Sequence, residues 1–236
     1  MAFLPIRRTR LNQPNGDGID WGNPLTKGLF HLSMPGVFFA SPQNLVNGKK
    51  NTGSGSPNKV VTGQGVAAHF GGNVAHRITY LNDYSGDMTL VTICVPTSTA
   101  VGGIFGVFSP SNVNTVANYL SIESGPALSA VSTDASNWSV ASGRAPVSGE
   151  TLILGASFTQ GGGRDLFING AKAATNSTAR SPSGMTEVIE GTYNGGSSSG
   201  YLSPFTGEIV LSLGAKRIWS AAEHSTFSAN PWQIFL

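Results

Sequence analysis

Four histidines, one cysteine and twelve carboxylates are the side chains of this sequence that could do acid–base, nucleophilic or metal chemistry, and their spacing organises little of it. His31, His69, His76 and His224 are scattered, with no CxxC, HExxH or EF-hand loop, so no metal is expected. On one continuous strand His69 and His76 would face opposite sides. Asp83 and Asp87 flank a Tyr84-Ser85-Gly86 turn that could offer oxygens to calcium. A hard cation needs several converging ligands, however, and solvated turn carboxylates are the plainer reading. Residues 196–200 match GxSxG without the preceding strand and following helix that would expose a nucleophile, so a Gly/Ser loop is expected there. Cys94 sits in an apolar run and reads as a buried packing thiol. Neither GxxxxGK[ST] nor GxGxxG occurs, and no cofactor is expected.

Glycoside hydrolysis needs two carboxyls facing one cleft, about 5 to 9 Å apart. The acids form no such local pair. Glu187 and Glu190 are three apart and so lie on opposite sides of a strand, and Asp165, beside a hairpin, is expected to stabilise a turn. Saccharide binding asks less, because an exposed aromatic ring can stack on a sugar. Trp138, Tyr193 and Tyr201 lie in polar, Gly/Ser-rich segments and are the candidates; the alternative for each is a place in the core or at its rim. Arg7, Arg8 and Arg10 either anchor a terminal arm on an acidic neighbour or solubilise the terminus.

The elements that must position these groups read as strands. Apolar runs are short, 31 Gly and 13 Pro punctuate them, and helical three-to-four spacing is nearly absent. Residues 88–95 are the clearest strand: Thr89, Val91, Ile93 and Val95 point one way, Met88, Leu90, Thr92 and Cys94 the other, and both faces are mostly apolar. That pattern predicts a central strand. Residues 103–108, 119–122, 151–158 and 207–213 read similarly. Asn169-Gly170 predicts a type I′ hairpin turn. Ser220-Ala221-Ala222-Glu223 fits a capping box for one helix ending before Asn230-Pro231. Residues 47–57 and 195–200 read as exposed loops.

Composition sets the limits of function. At 236 residues, 39% hydrophobic, the chain can bury one sizeable core, and one domain is expected. Only 11% of residues are charged, where about a quarter is usual, and Ser, Thr and Asn supply the polarity instead. A net charge of +2, with no Lys or Arg between Ile78 and Gly143, leaves no basic face for nucleic acid, which is not an expected partner. No run approaches the roughly 20 apolar residues of a membrane helix, and the first ten residues are the reverse of a secretory signal, so neither membrane insertion nor Sec export is expected. Residues 1–20, basic and then Asn/Pro/Gly-rich, are read as an extended N-terminal arm, and residues 21–236 as the folded domain.

Several segments together resemble the concanavalin A-like, laminin G-like lectin and glucanase superfamily. These are residues 63–72 with their Phe70-Gly71 ending, the strand at 88–96, the paired strands leading to Asn169-Gly170, and residues 205–223 with their closing strand and capped helix. The resemblance implies an all-β fold, a two-sheet antiparallel jelly-roll sandwich with one short C-terminal helix. The superfamily's catalytic Glu-x-Asp-x-Glu and its calcium ligands have no counterpart here, so no enzymatic activity is expected. Ile19-Asp20-Trp21-Gly22-Asn23-Pro24 and Asn230-Pro231-Trp232-Gln233-Ile234-Phe235 resemble laminin G-like proteins of tailed bacteriophages and prophages. That likeness implies a virion structural protein, in a tail appendage or as a head decoration, assembled in the host cytoplasm and present in several copies. The arm through Arg10, with Trp232 and Phe235, would dock on other virion proteins. The alternative is a carbohydrate-binding module that adsorbs to cell-surface polysaccharide through Trp138, Tyr193 and Tyr201, and a glycoside hydrolase ranks last.

Overall fold

A computed structural model describes residues 13–14, 18–38, 43–50, 57–71, 74–79, 83–110, 116–134, 137–192 and 204–236. Among the described residues fourteen strands form two antiparallel sheets. The larger, eight-stranded sheet contains β1 (Leu29–Ser33), β2 (Asn58–Thr62), β3 (Gly65–Phe70), β5 (Met88–Pro96), β10 (Leu152–Phe158), β11 (Gly162–Ile168), β12 (Ala171–Arg180) and β14 (Gly207–Ala215). Its order is β12-β11-β10-β5-β14-β3-β2, with β1 also on β14. The smaller holds β4 (His76–Thr79), β6 (Gly102–Phe108), β7 (Val116–Glu123), β8 (Ala127–Asp134), β9 (Asn137–Ser142) and β13 (Glu187–Glu190), in the order β4-β13-β6-β7-β8-β9. One helix, α1 (Ala221–Ala229), follows. The fold is the jelly-roll sandwich that the resemblance implies. No helix among the described residues is long and apolar enough to cross a membrane.

The double apolar character of β5 has a physical reason: it separates two cores. Met88, Leu90 and Cys94 join the inter-sheet core with Leu120, Leu154 and Val188, while Val91 and Ile93 face a second core on the outside of the larger sheet. Burial, with Glu150 and Glu208 adding to it, pushes the Cys94 thiol up, so it is inert packing as read. The second core is roofed by both ends of the chain, through Leu25, Leu29 and Leu32 on one side and Trp219, Phe227 and Ile234 on the other. Ile19 bridges to Phe235, and Asp20 N donates to the Ile234 carbonyl (2.8 Å) while Leu236 N donates to Gly18 (2.9 Å). The two end segments read as a pair of short signatures therefore meet in space.

This clasp corrects part of the docking expectation. Trp232 and Phe235 are 3% and 4% exposed, so their rings fill the second core and present no face to a neighbour. The arm is likewise tied down at Gln13, whose side-chain amide accepts from Val66 N and donates to Val66 O, and Pro14 and Ile19 are buried. Residues 1–12, with Arg7, Arg8 and Arg10, lie outside the described residues.

The local signals hold where they are short-range. Asn169 (φ 51°) and Gly170 (φ 80°) form the β11–β12 turn. Gly170 has a second reason to be glycine, because a Cβ there would lie 2.8 Å from Ser228 Cβ and 2.9 Å from Ser225 Cα of α1. Ser220 caps α1 with Glu223 reaching back, and Asn230 ends it. Asp165, by contrast, does not stabilise the turn. It lies within β11, where it pairs with Lys172 (2.8 Å) and accepts from Thr175 Oγ1 (2.7 Å) across to β12.

Candidate functional site

β9 is the outer strand of the smaller sheet, and alternation places Trp138 on its outward face beside Val140 and across from Thr133. The indole is 47% exposed. It stands edge-on to the buried Tyr119 ring, with centroids 6.4 Å apart at 89°, an arrangement that fixes the indole while leaving a face open. The Thr133 hydroxyl beside it has no protein partner. Of the three aromatic candidates, Trp138 is thus an open platform, and Tyr193 and Tyr201 fall outside the described residues, as does the GxSxG stretch.

The backbone beneath Trp138 is held from the other sheet. Arg180 of β12 donates Nη2 to the Trp138 carbonyl (3.1 Å), and Asn176 donates Nδ2 to the Val140 carbonyl (2.8 Å). Side chains of one sheet edge thereby satisfy carbonyls of the other edge and close that side of the sandwich. Asp134, at the end of β8, lies 3.9 Å from Arg180 Nε and accepts from Ser181 N (3.0 Å). Sequence reasoning missed Arg164, Arg180, Asp134 and Thr133. One signal was available, since Arg164 interrupts the apolar face that Leu166 and Ile168 carry in β11.

The acids are engaged elsewhere. In β13, Val188 and Glu190 face the inter-sheet core while Glu187 and Ile189 face outward. Glu187 pairs with Arg77 (3.6 Å). Glu190 is 3% exposed and lies between His31 Nε2 (3.6 Å) and His76 Nδ1 (3.3 Å), with Ser33 Oγ at 3.5 Å. Burial alone would raise the Glu190 carboxyl, but hydrogen bonds and charge from His31 and His76 outweigh it and hold the group far below the usual carboxylate range. A cavity of about 10 Å³ adjoins the triad. The continuous strand assumed for His69 and His76 does not exist. His69 is in β3 of the larger sheet, paired with Glu208 (3.0 Å), and His76 is in β4 of the smaller. Asp83 accepts from the N–H groups of Ser85, Gly184 and Met185, and Asp87 from that of Gln160, so both carboxylates fasten turns. Among the described residues no group of three His, Cys, Asp or Glu side chains could hold a metal ion.

His224 is the remaining titratable group of note. It is 3% exposed, stacked on Phe167 (centroids 3.8 Å apart), and bonded through Nε2 to Ser157 Oγ (3.1 Å). Its ring lies over Gly155, where a Cβ would come within 2.7 Å of Nδ1. Burial lowers its pKa to about 4 against the opposing pull of Glu223 and Asp165, so it is neutral at pH 7.

The chain matches no protein-family model, and no curated protein matches its sequence. Solved structures match it in shape. The binding domain of Paraclostridial Mosquitocidal Protein 1 aligns with a TM-score of 0.65 at 13% identity, over 86% of this chain and 52% of that one. Domain 4 of a GH43 extracellular arabinanase from Geobacillus stearothermophilus, in complex with arabinotriose, gives 0.58 at 15%, over 85% and 98%. A heptameric SAP-like pentraxin from Limulus polyphemus gives 0.55 at 16%, over 68% and 80%. At these identities the likeness establishes the fold alone, a sandwich of two antiparallel β-sheets.

Proposed function

We propose that this chain is a non-enzymatic, lectin-like binding module that recognises a cell-surface glycan through the face carrying Trp138. The observation that carries the reading is the half-exposed indole, braced by Tyr119 at the margin of the smaller sheet. Supporting it, the acids of β13 are committed to Arg77 and to two histidines and form no open pair for hydrolysis. A domain of the same fold is in complex with arabinotriose, and another is the binding domain of a mosquitocidal protein. Trp138→Ala should weaken binding to the cognate polysaccharide at least tenfold, as expected for loss of a stacking ring, with the unfolding midpoint unchanged. Retained affinity in a folded variant would move the site away from β9.

The setting we propose is a tailed-bacteriophage particle, in an adsorption appendage or as a head decoration. The two end segments that resemble phage proteins support it. Contacts with other virion proteins would come from residues 1–12 and from the β2 edge, where Val61 is 82% exposed and an unpaired strand can add to a partner sheet. Quantitative mass spectrometry of purified particles should find the protein, near-stoichiometric with the shell protein for a decoration or at a small multiple of the tail symmetry for an appendage. Absence from particles removes the virion setting and leaves the glycan module.

A further inference from the structure

Behind Trp138 the sandwich holds two cations for one anion. Arg164 lies on the inter-sheet face of β11 and is 2% exposed. Its Nη2 donates to the carbonyls of Gly162 and Thr178, but its Nε and Nη1, both buried, have no acceptor. Arg180 donates Nη1 to the Ala179 carbonyl (2.8 Å) and Nη2 to the Trp138 carbonyl (3.1 Å), and its buried Nε also lacks an acceptor, since Asp134 Oδ1 stands off at 3.9 Å. Three guanidinium nitrogens are therefore withdrawn from water with nothing to bond. A buried charged donor without an acceptor keeps its full desolvation penalty, and an anionic oxygen is the acceptor that removes most of it. Burial, then the nearby Arg180 charge, brings the Arg164 pKa down to about 10 against the pull of Asp134, which leaves it cationic at pH 7.

We infer that Arg180 and Arg164 form an acid-group subsite, which takes the carboxylate or sulfate of an acidic saccharide whose ring lies on Trp138. The inference rests on the glycan reading above and adds the class of sugar. Entry is beside Arg180, whose side chain is 19% exposed and reaches the backbone of Trp138 itself. An incoming acid displaces the loose contact with Asp134 and meets Arg180 first, with Arg164 behind it.

The test is an array of glycans in pairs that differ only in the acid group, uronates against their methyl esters and sulfated against desulfated forms. Calorimetry on the best pair follows, with inorganic sulfate titrated separately. The acidic member should bind at least tenfold tighter at low salt and lose that advantage at high salt. Arg180→Gln should abolish the preference, Arg180→Lys should keep part of it, and Trp138→Ala should weaken both members. Equal binding of both members, sensitive to Trp138→Ala, overturns the acid subsite and leaves the glycan reading standing. Binding of sulfate without preference for acidic glycans overturns the saccharide assignment in favour of a free-anion site. No binding by any pair overturns both readings. Should Arg180→Gln fail to fold, the comparison of each acid with its ester on the unaltered protein still decides.

Discussion

Glu190→Ala is expected to lower the free energy of unfolding by about 3–5 kcal/mol, the largest effect of any single exchange considered for this chain. The carboxylate is buried between sheets, and each oxygen faces a histidine from a different strand: His31 of β1 in the larger sheet and His76 of β4 in the smaller. Removing it takes the carboxylate away from two buried imidazoles, His31 stacked on Phe105 and His76 edge-on to Phe70. A cavity is left as well, added to the roughly 10 Å³ already present, and unfilled volume costs further stability. Glu190→Gln should fall between the two, because an amide keeps the shape and some hydrogen bonding while losing the charge. A double-mutant cycle of Glu190→Ala with His76→Ala should give a coupling of about 1–3 kcal/mol. Urea unfolding measures all of these, and a loss under 1 kcal/mol for Glu190→Ala would show that the triad does not hold the sheets together.

Acidification should destabilise the protein well above the range in which carboxylates titrate. The group responsible is His224, whose folded pKa of about 4 lies below the ordinary value of 6.5. Below pH 6.5 the unfolded chain takes up a proton that the folded chain refuses, so stability falls as pH drops and the loss is complete near pH 4. The gap corresponds to about 3 kcal/mol. Glu190 acts in a lower window: its carboxyl is held down in the fold, so its contribution is present above its ordinary 4.5 and is lost as pH falls beneath that. Carboxylates such as Glu150 and Glu223, also held low, share that lower window. In the interval from pH 6.5 to 4.5 the loss comes from His224, opposed by Glu123, whose carboxyl burial raises above its ordinary 4.5. His224→Phe, which can keep the stack on Phe167 over Gly155, should flatten the denaturation midpoint across that interval. Equal midpoints at pH 7 and pH 5 in the unaltered protein would refute the assignment.

What was legible in the sequence was what neighbouring residues decide. A strand apolar on both faces, an Asn-Gly turn and a Ser-x-x-Glu cap are each complete within ten residues, and β5, the Asn169-Gly170 turn and the Ser220 cap stand where they were read. The misreadings needed partners on other elements of the fold, whatever their separation in sequence. His76 and Glu190 are 114 residues apart and meet because β4 pairs with β13, a register no local pattern encodes. Asp165 was assigned to the turn it nearly touches, whereas its partners Lys172 and Thr175 lie across the ladder. Trp232 and Phe235 looked available because a terminal aromatic has no visible partner in sequence; their cover comes from residues near the opposite end. For the site, Trp138 was visible as an aromatic in a polar segment, but the arginines behind it come from β11 and β12 and assemble only when the sheet edges meet.

The position of β14 governs how the chain can come off the ribosome. It is among the last strands synthesised, yet it sits between β5 and both β3 and β1, so the middle of the larger sheet is filled late. Until residue 215 has emerged, β5 offers an open apolar edge and β1 has no strand to pair with. A fragment released before that point can build the hairpins of both sheets but cannot join β3 to β5, so the larger sheet stays in two parts. Premature stops thus yield sticky partial sheets rather than shortened working copies, and a nascent chain needs shielding until β14 has emerged.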